Sequence, residues 1–198
     1  MTNPDDALLA ADLGATHIGL NFYPSSPRYI SASRARQIIH ALRALTAPPL
    51  LVGVFVNEDV RTIRSTLDTH ALDLAQLSGD ETEETLIALG DCAYKAYRLN
   101  NPQTKYRKAR LILLDAQVEG KYGGTGHRCD WDSAADVAQK YDVFLAGGLT
   151  PENVAQAIRH VRPWGVDVAS GVERSPGIKD ADKLQRFIVN ACSPQYEV

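Results

Sequence analysis

The sequence has few cysteines, little net charge and no long apolar run, and each of these shortages excludes a class of protein. Three cysteines in 198 residues, without a Cys-x-x-Cys pair, argue against a disulfide scaffold and a zinc framework. A net charge of −3 is too small to attract nucleic acid or an anionic membrane. No apolar run reaches the roughly 18 residues of a membrane span, and the N-terminus does not have the layout of a signal peptide. We therefore expect a cytoplasmic protein with no nucleic-acid partner and no membrane partner.

Glycine-rich nucleotide-binding motifs are also missing, because neither Gly-x-Gly-x-x-Gly nor a P-loop sequence follows the early apolar runs. What is present is an alternation of short apolar runs with helix-like stretches over the whole chain. Runs such as LLVGVFV and LILL are continuous, which is typical of strands buried on both faces of a parallel sheet. The predicted strands are His17–Tyr23, Leu51–Val56, Leu72–Leu77, Ala93–Arg98, Arg110–Asp115, Val143–Gly147 and Gly165–Ala169.

Signals for helix starts precede the first of these strands and also lie between the later ones. The segment Asn3–Asp6 combines a capping side chain, a proline suited to a first helical turn and two acids that favour the helix dipole. Ser31 is predicted to begin the second helix, and Asp80-x-x-Glu83 resembles a capping box. The chain therefore opens on a helix rather than on a strand.

Alternation of strands and helices without a linker predicts a single domain over residues 1–198 with a parallel sheet. We favour a TIM (β/α)8-type barrel over an open, doubly wound sheet. Complete barrels typically need about 250 residues and compact ones about 200, so this chain is at the lower limit. With seven predicted strands, the α/β barrel lacks its first strand.

Two late strands end in glycine-rich turns, which predicts a phosphate site. In such barrels the loops after the last two strands frequently bind phosphate, because glycine lets the backbone amides approach the oxygens. We assign this role to Gly147, Gly148, Ser170 and Gly171. The alternative is that these glycines only make tight turns between strands and helices.

The motifs of this chain resemble, in order and spacing, those of the phosphoribosylanthranilate isomerases. They are GLNFYPSSPRYIS, VGVFVNE, QLSGDE, LLDAQVEGKYGGTGHRCDW, LAGGLTPENV and VDVASGVERSPGIKD. The resemblance implies a single-domain β/α barrel of tryptophan biosynthesis that needs no cofactor and no metal. Its reaction would be the Amadori rearrangement of N-(5-phosphoribosyl)anthranilate to the 1-deoxyribulose 5-phosphate.

The resemblance also implies roles for individual residues. Asp115 matches the general acid that protonates the furanose ring oxygen, and the alternative for it is a helix cap or a loop salt bridge. Arg28 matches the arginine that holds the anthranilate carboxylate, where an exposed loop arginine is the alternative. Asp167 matches a carboxylate near the substrate and would otherwise be a structural ion pair. Gly124 belongs to a glycine-rich loop that matches a segment over the active site.

The sequence departs from the family at two points. The family's first strand reads approximately Lys-Ile-Cys-Gly and carries the cysteine that removes the C2 proton, but this sequence aligns from just after that cysteine. We prefer the interpretation that Met1 is an internal methionine, so that the chain as given has little activity. Cys92, Cys129 and Cys192 are not predicted at strand ends, which leaves Asp167 as the substitute base. Ser78 stands where the family usually has histidine.

Other hypotheses remain open. One is a non-catalytic paralogue that binds phosphate or a sugar phosphate. A metal-dependent sugar-phosphate epimerase needs histidines at strand ends, but only His17 lies in a predicted strand, at its start. Indole-glycerol-phosphate synthase-like chemistry needs strand-end lysines, whereas Lys95 is predicted in mid-strand. Both a monomer and a homodimer are compatible with the sequence.

Overall fold

The computed structural model describes residues 1–99, 111–115 and 130–193. These residues belong to two compact units. The first comprises Met1–Lys95 with Glu173–Ala181, and the second comprises the chain from Ala96 to Val172 and from Asp182 onwards. The single domain expected over residues 1–198 stays a prediction. In the part of the chain described, no helix has the length and apolar character needed to cross a membrane.

The first unit alternates helices and strands from its N-terminus. Its strands β1 to β4 pair in chain order, all of them parallel. Leu20, Leu51 and Phe55 of these strands are almost fully buried, which accounts for their apolar sequences. The elements are α1 (Pro4–Asp12), β1 (His17–Asn21), α2 (Ala32–Arg43), β2 (Leu50–Phe55), α3 (Val60–His70), β3 (Leu74–Leu77), α4 (Glu83–Leu89) and β4 (Ala93–Arg98).

The second unit continues the pattern. Strands β5 and β6 pair in parallel along five residues, and β6 pairs in parallel with β7. Ile112, Leu114, Val143 and Leu145 are fully buried, so both strands lie in the core. The elements are β5 (Leu111–Asp115), α5 (Trp131–Ala138), β6 (Asp142–Ala146), α6 (Val154–Val161), β7 (Gly165–Val166) and α7 (Ala181–Cys192).

These seven strands follow one another in chain order in one sheet of the described residues. The predicted α/β class and the seven predicted strands are thereby confirmed. The strand limits agree to within about two residues except at the last strand, which ends at Val166 instead of Ala169. There the backbone turns into a 3-10 helix over Ser170–Val172.

A short antiparallel hairpin was not predicted. It consists of β8 (Glu173–Ser175) and β9 (Ile178–Lys179), joined by the Pro176-Gly177 turn. Gly177 has φ +85°, a conformation that glycine adopts readily. Pro-Gly is a turn signal in the sequence, but two flanking strands of two and three residues are too short to show a period.

The helix starts are confirmed in two cases and wrong in a third. Asn3 caps α1 by accepting a hydrogen bond from the Asp6 amide at 2.8 Å, and Ser31 caps α2 in the same way. Asp80 does not cap α4, which begins after Thr82. Contacts with more distant residues hold the segment at Asp80 instead, since its amide donates to Asn57 Oδ1.

Candidate functional site

Asp115 is the last residue of β5 and lies half-buried at the carboxyl end of that strand. In the register of the sheet it is opposite Ala146, the last residue of β6. Its carbonyl oxygen accepts a hydrogen bond from the Leu99 amide at 3.1 Å. Gly147 follows Ala146 directly, so the predicted acid and the first predicted glycine turn lie at the same end of neighbouring strands.

The turn after β6 depends on its two glycines. Gly147 has φ +92° and Gly148 has φ +64°, in the left-handed region where other residues are strained. The Asn153 side chain holds the turn, because its Nδ2 donates to the Gly148 carbonyl at 2.9 Å and its Oδ1 accepts from the Thr150 amide at 2.8 Å. Gly148 is exposed at this strand end.

The second glycine turn packs directly on the first. A Cβ atom added to Gly171 would lie 1.9 Å from the Leu149 carbonyl oxygen and 3.0 Å from its carbonyl carbon. Only a glycine permits this approach of two backbones. Ser170, beside it, is exposed, and so is Asp167, which lies one residue beyond β7 and whose amide donates to the Leu145 carbonyl. The structure thus brings together Asp115, Asp167 and both predicted phosphate turns within the second unit.

Arg28 belongs to the first unit, in the turn after β1. The Arg28 amide donates to Ser26 Oγ at 3.1 Å. At the end of the turn the Ile30 amide donates to the Asn21 carbonyl at 3.0 Å. The guanidinium group binds the Glu173 carboxylate through Nε at 2.9 and 3.1 Å and through Nη2 at 2.6 Å. The arginine is therefore not an unpartnered loop residue.

Glu173, the partner of Arg28, was not singled out from the sequence. Its side chain is 5% exposed, and Lys179 Nζ lies 3.4 Å from Oε1. Burial acts to raise the pKa of the Glu173 carboxyl, but the hydrogen bond from Arg28 and the charges of Lys179 and Arg28 outweigh it and lower the pKa. The same hydrogen bond raises the pKa of Arg28. Because the two partners are 145 positions apart in the chain, no local sequence pattern indicates the pair.

A second buried ion pair lies near the carboxyl ends of β2 and β3. Glu81 accepts from Lys95 Nζ at 2.6 Å and from the amides of Asn57 and Gly79 at 2.7 and 2.9 Å. The Lys95 and Glu81 side chains are only 10% and 2% exposed. Lys95 is thus a structural cation in mid-strand, which matches its predicted place in the sequence. Ser78, exposed after β3, accepts from Gln76 Nε2 at 3.0 Å.

The cysteines lie where the sequence predicted, as far as they are described. Cys92 is in a 3-10 turn before β4 and donates to the Leu89 carbonyl, and Cys192 is the exposed last residue of α7. Neither ends a strand. Cys129, and Gly124 with its glycine-rich loop, lie outside the described residues.

The described histidines do not fall at the carboxyl ends of strands. His17 begins β1, and His40, His70 and His160 are on helices α2, α3 and α6. Burial lowers the pKa of His70, which packs against Phe22 with ring centroids 5.6 Å apart. These positions argue against the metal-dependent epimerase hypothesis.

Parallel strands with an acid and glycine turns at their carboxyl ends define a β/α enzyme fold of the barrel type. The particular family follows from comparison with known proteins. The family model of N-(5′-phosphoribosyl)anthranilate (PRA) isomerase matches residues 1–190. The chain therefore belongs to the phosphoribosylanthranilate isomerases, enzymes of tryptophan biosynthesis, and the predicted family is confirmed.

Curated relatives and solved structures agree with this assignment. N-(5′-phosphoribosyl)anthranilate isomerase of Pseudomonas syringae pv. syringae is 47% identical over 95% of this chain and 92% of its own length. That of Pelobacter propionicus is 44% identical over 95% of this chain and 90% of its own length. The crystal structure of the Thermotoga maritima enzyme superposes with a TM-score of 0.83 at 39% identity, covering 96% of this chain and 95% of that one.

A further solved structure contains a ligand. It is a phosphoribosylanthranilate isomerase in complex with reduced 1-(o-carboxyphenylamino)-1-deoxyribulose 5-phosphate. It superposes with a TM-score of 0.80 at 37% identity, covering 96% of this chain and 94% of that one.

Proposed function

We propose that this chain converts N-(5-phosphoribosyl)anthranilate to 1-(2-carboxyphenylamino)-1-deoxyribulose 5-phosphate. The observation that carries the proposal is the position of Asp115 beside the turn at Gly147, at the carboxyl ends of two paired strands. Barrel enzymes place their reacting groups at this end. The family assignment makes an isomerase more strongly supported than a non-catalytic binding paralogue.

In this proposal the Asp115 carboxyl gives its proton to the furanose ring oxygen, and the C1–O bond breaks to leave a Schiff base. A base then takes the C2 proton, and the electron pair of that bond neutralises the iminium nitrogen to give an enolamine. Tautomerisation of the enolamine yields the ketone. Proton transfers of this kind typically contribute about 100- to 10,000-fold each. No step needs a metal or a cofactor.

The mechanism also needs a base that removes the C2 proton. By resemblance the family uses a cysteine on a strand before α1, and Asp167 is the carboxylate of this chain that we propose as its substitute. In the described residues the strand that pairs with β1 is β2, Asn21 at the end of β1 also forms an isolated bridge with Tyr29, and Gly19 in the middle of β1 is exposed. The Gly19 carbonyl accepts from the Met1 ammonium group at 2.5 Å. An additional strand that paired with β1 at Gly19 would therefore have to replace the contact with Met1.

The decisive experiment compares this chain with a form extended at the N-terminus by a Lys-Ile-Cys-Gly strand. Chromatography of the ribulose product measures the rate of isomerisation in both. We expect the extension to raise kcat at least about 100-fold, because it supplies the family's cysteine base to the proposed acid Asp115 in place of the substitute Asp167. An extension with serine in place of cysteine is the matched control, since it adds the strand without the base. Equal kcat values for all three forms would show that the base lies within the chain.

The turns at Gly147–Gly148 and Ser170–Gly171 are proposed to bind the substrate phosphate through backbone amides. Replacement of Gly171 by Ala is expected to push the Leu149 backbone away and to weaken this binding about tenfold, equivalent to one lost charge-assisted hydrogen bond of about 1.5 kcal/mol. Calorimetry with the reduced product analogue, and with the same compound lacking its phosphate, measures the effect.

The phosphate-free compound should bind the Gly171→Ala variant and the parent equally. Gly19→Ala is a matched control, because among the described residues its added methyl group would meet Val54 Cγ2 alone, at an ordinary 3.8 Å. A variant whose affinity falls equally for both compounds would contradict a phosphate role for this turn.

Arg28 is proposed to hold the anthranilate carboxylate, since a guanidinium group can form two parallel hydrogen bonds with a carboxylate. Gly124 is proposed to belong to a loop over the substrate. We further propose a cytoplasmic enzyme that works as a monomer or a homodimer and has no nucleic-acid or membrane partner. One solved relative is a monomer generated from the dimeric phosphoribosylanthranilate isomerase of Thermotoga maritima.

A further inference from the structure

We propose that Glu173 is a positioning residue that orients Arg28 so that its free edge receives the aromatic carboxylate of the substrate. This inference rests on the proposed function and adds a specificity determinant to it. It depends only on residues of the first unit, and four observations support it.

The first observation is which edge of the guanidinium group Glu173 occupies. Both carboxylate oxygens of Glu173 bind the edge formed by Nε and Nη2, at 2.6 to 3.1 Å. A planar guanidinium group has a second edge, formed by Nη1 and Nη2, that accepts another carboxylate in the same fork geometry. Within the described part of the chain, Nη1 of Arg28 has no hydrogen-bond acceptor. The plane of the group is thus fixed while one recognition edge remains available.

The second observation is the difference in exposure between the two partners. The Arg28 side chain is 30% exposed and that of Glu173 only 5%. The ion pair therefore has one end anchored in the protein and one end open to solvent. A pair that served the packing alone would not need its cation at the surface, because the open end of Arg28 adds no contact to the described structure.

The third observation is the charge of the cluster. Lys179 Nζ lies 3.4 Å from Glu173 Oε1, and its side chain is 6% exposed. Lys179 and Arg28 are thus two cations beside the one carboxylate of Glu173, and the Asp6 carboxylate accepts from the Lys179 amide. Because Lys179 shares the Glu173 carboxylate with Arg28, Glu173 offsets the positive charge of Arg28 less than it would alone.

The fourth observation is that the hairpin carrying Glu173 is itself held in place. The Lys179 amide donates to the Asp6 carboxylate at 2.8 Å, and the Thr2 hydroxyl donates to the Gly177 carbonyl. A hairpin of two short strands is marginal without such support. Because α1 supports β8 and β9, Glu173 has a fixed position before any ligand binds, as preorganised recognition requires.

The test measures binding, so it does not depend on the catalytic base. Calorimetry gives Kd for reduced 1-(o-carboxyphenylamino)-1-deoxyribulose 5-phosphate and for its phenylamino counterpart without the carboxylate. The parent chain is expected to bind the carboxylate compound more tightly. In Glu173→Gln, which keeps the shape and removes the charge, we expect about a tenfold weaker Kd for the carboxylate compound and an unchanged Kd for the other.

Glu152→Gln is the matched control, because it makes the same change in the exposed pair with Arg186. It should bind both compounds as the parent does. If Glu173→Gln does not fold, Glu173→Asp keeps the charge at a shorter reach and should show a smaller loss, again only for the carboxylate compound.

The outcomes separate this inference from the proposed function. A Glu173 variant that loses affinity equally for both compounds has only a structural effect, and one that loses none is not needed to orient Arg28. Either result overturns the inference about Glu173 and leaves the proposed isomerase function unaffected. A parent chain that binds neither compound, or does not distinguish them, overturns the carboxylate role of Arg28 as well.

Discussion

Asp115→Asn should lower kcat about 100- to 10,000-fold and leave KM nearly unchanged. The amide keeps the size of the side chain at the end of β5 but has no acidic proton for the ring oxygen of the substrate. The main-chain hydrogen bond from the Leu99 amide to the Asp115 carbonyl does not involve the side chain, and far-ultraviolet circular dichroism checks that the variant folds. Steady-state kinetics on the cysteine-extended form measures the effect where the base is supplied.

Asp142→Asn is the matched control for this experiment. Asp142 is the first residue of β6 and pairs with Leu111, so it lies at the opposite end of the same two strands. Since reacting groups of barrel enzymes lie at the carboxyl end, this variant should retain kcat within about twofold. An Asp115→Asn variant with a tenth or more of the parent kcat would exclude Asp115 as the general acid.

Lys95→Met should cost about 3–5 kcal/mol of unfolding free energy, the largest stability effect that we expect from one substitution outside the apolar core. The variant leaves the Glu81 carboxylate, 2% exposed, without its cation. It also removes the donor to the Gly79 carbonyl. Urea denaturation, followed by far-ultraviolet circular dichroism, gives the free energy of unfolding.

Arg186→Met is the matched control, because it removes one positive charge from an ion pair that is exposed instead of buried. Arg186 and Glu152 are 56% and 64% exposed, so solvent screens their attraction, and the loss should stay below about 1 kcal/mol. Equal destabilisation by the two substitutions would show that the burial of Lys95 and Glu81 does not set the strength of their interaction.

Much of the fold could be predicted because its signals are local. Continuous apolar runs identified β5 and β6, since strands buried on both faces have no polar alternation. The strand ends then placed Asp115 and Gly147 correctly, because the residue after an apolar run is at the edge of the sheet. The capping roles of Asn3 and Ser31 could also be predicted from the sequence, because a capping side chain accepts from an amide only three residues away.

What the sequence did not reveal depends on partners far apart in the chain. Asp80 has the spacing of a capping box, but contacts with Asn57 and the network of Glu81 and Lys95 decide the local backbone. Glu173 is missed for the same reason, because its partner Arg28 is 145 residues away. Local propensity is the preference of a short segment for one backbone conformation. Hydrogen bonds and ion pairs to distant residues can override that preference.

The contact between Gly171 and Leu149 couples the two loops mechanically. With their backbones touching, neither loop can shift outward or inward without displacing the other, so a disturbance of one is transmitted to its neighbour. An anion that settled between them would meet amides already in place and would not have to order a flexible chain. Sequence variation at either loop should therefore be tolerated only in pairs.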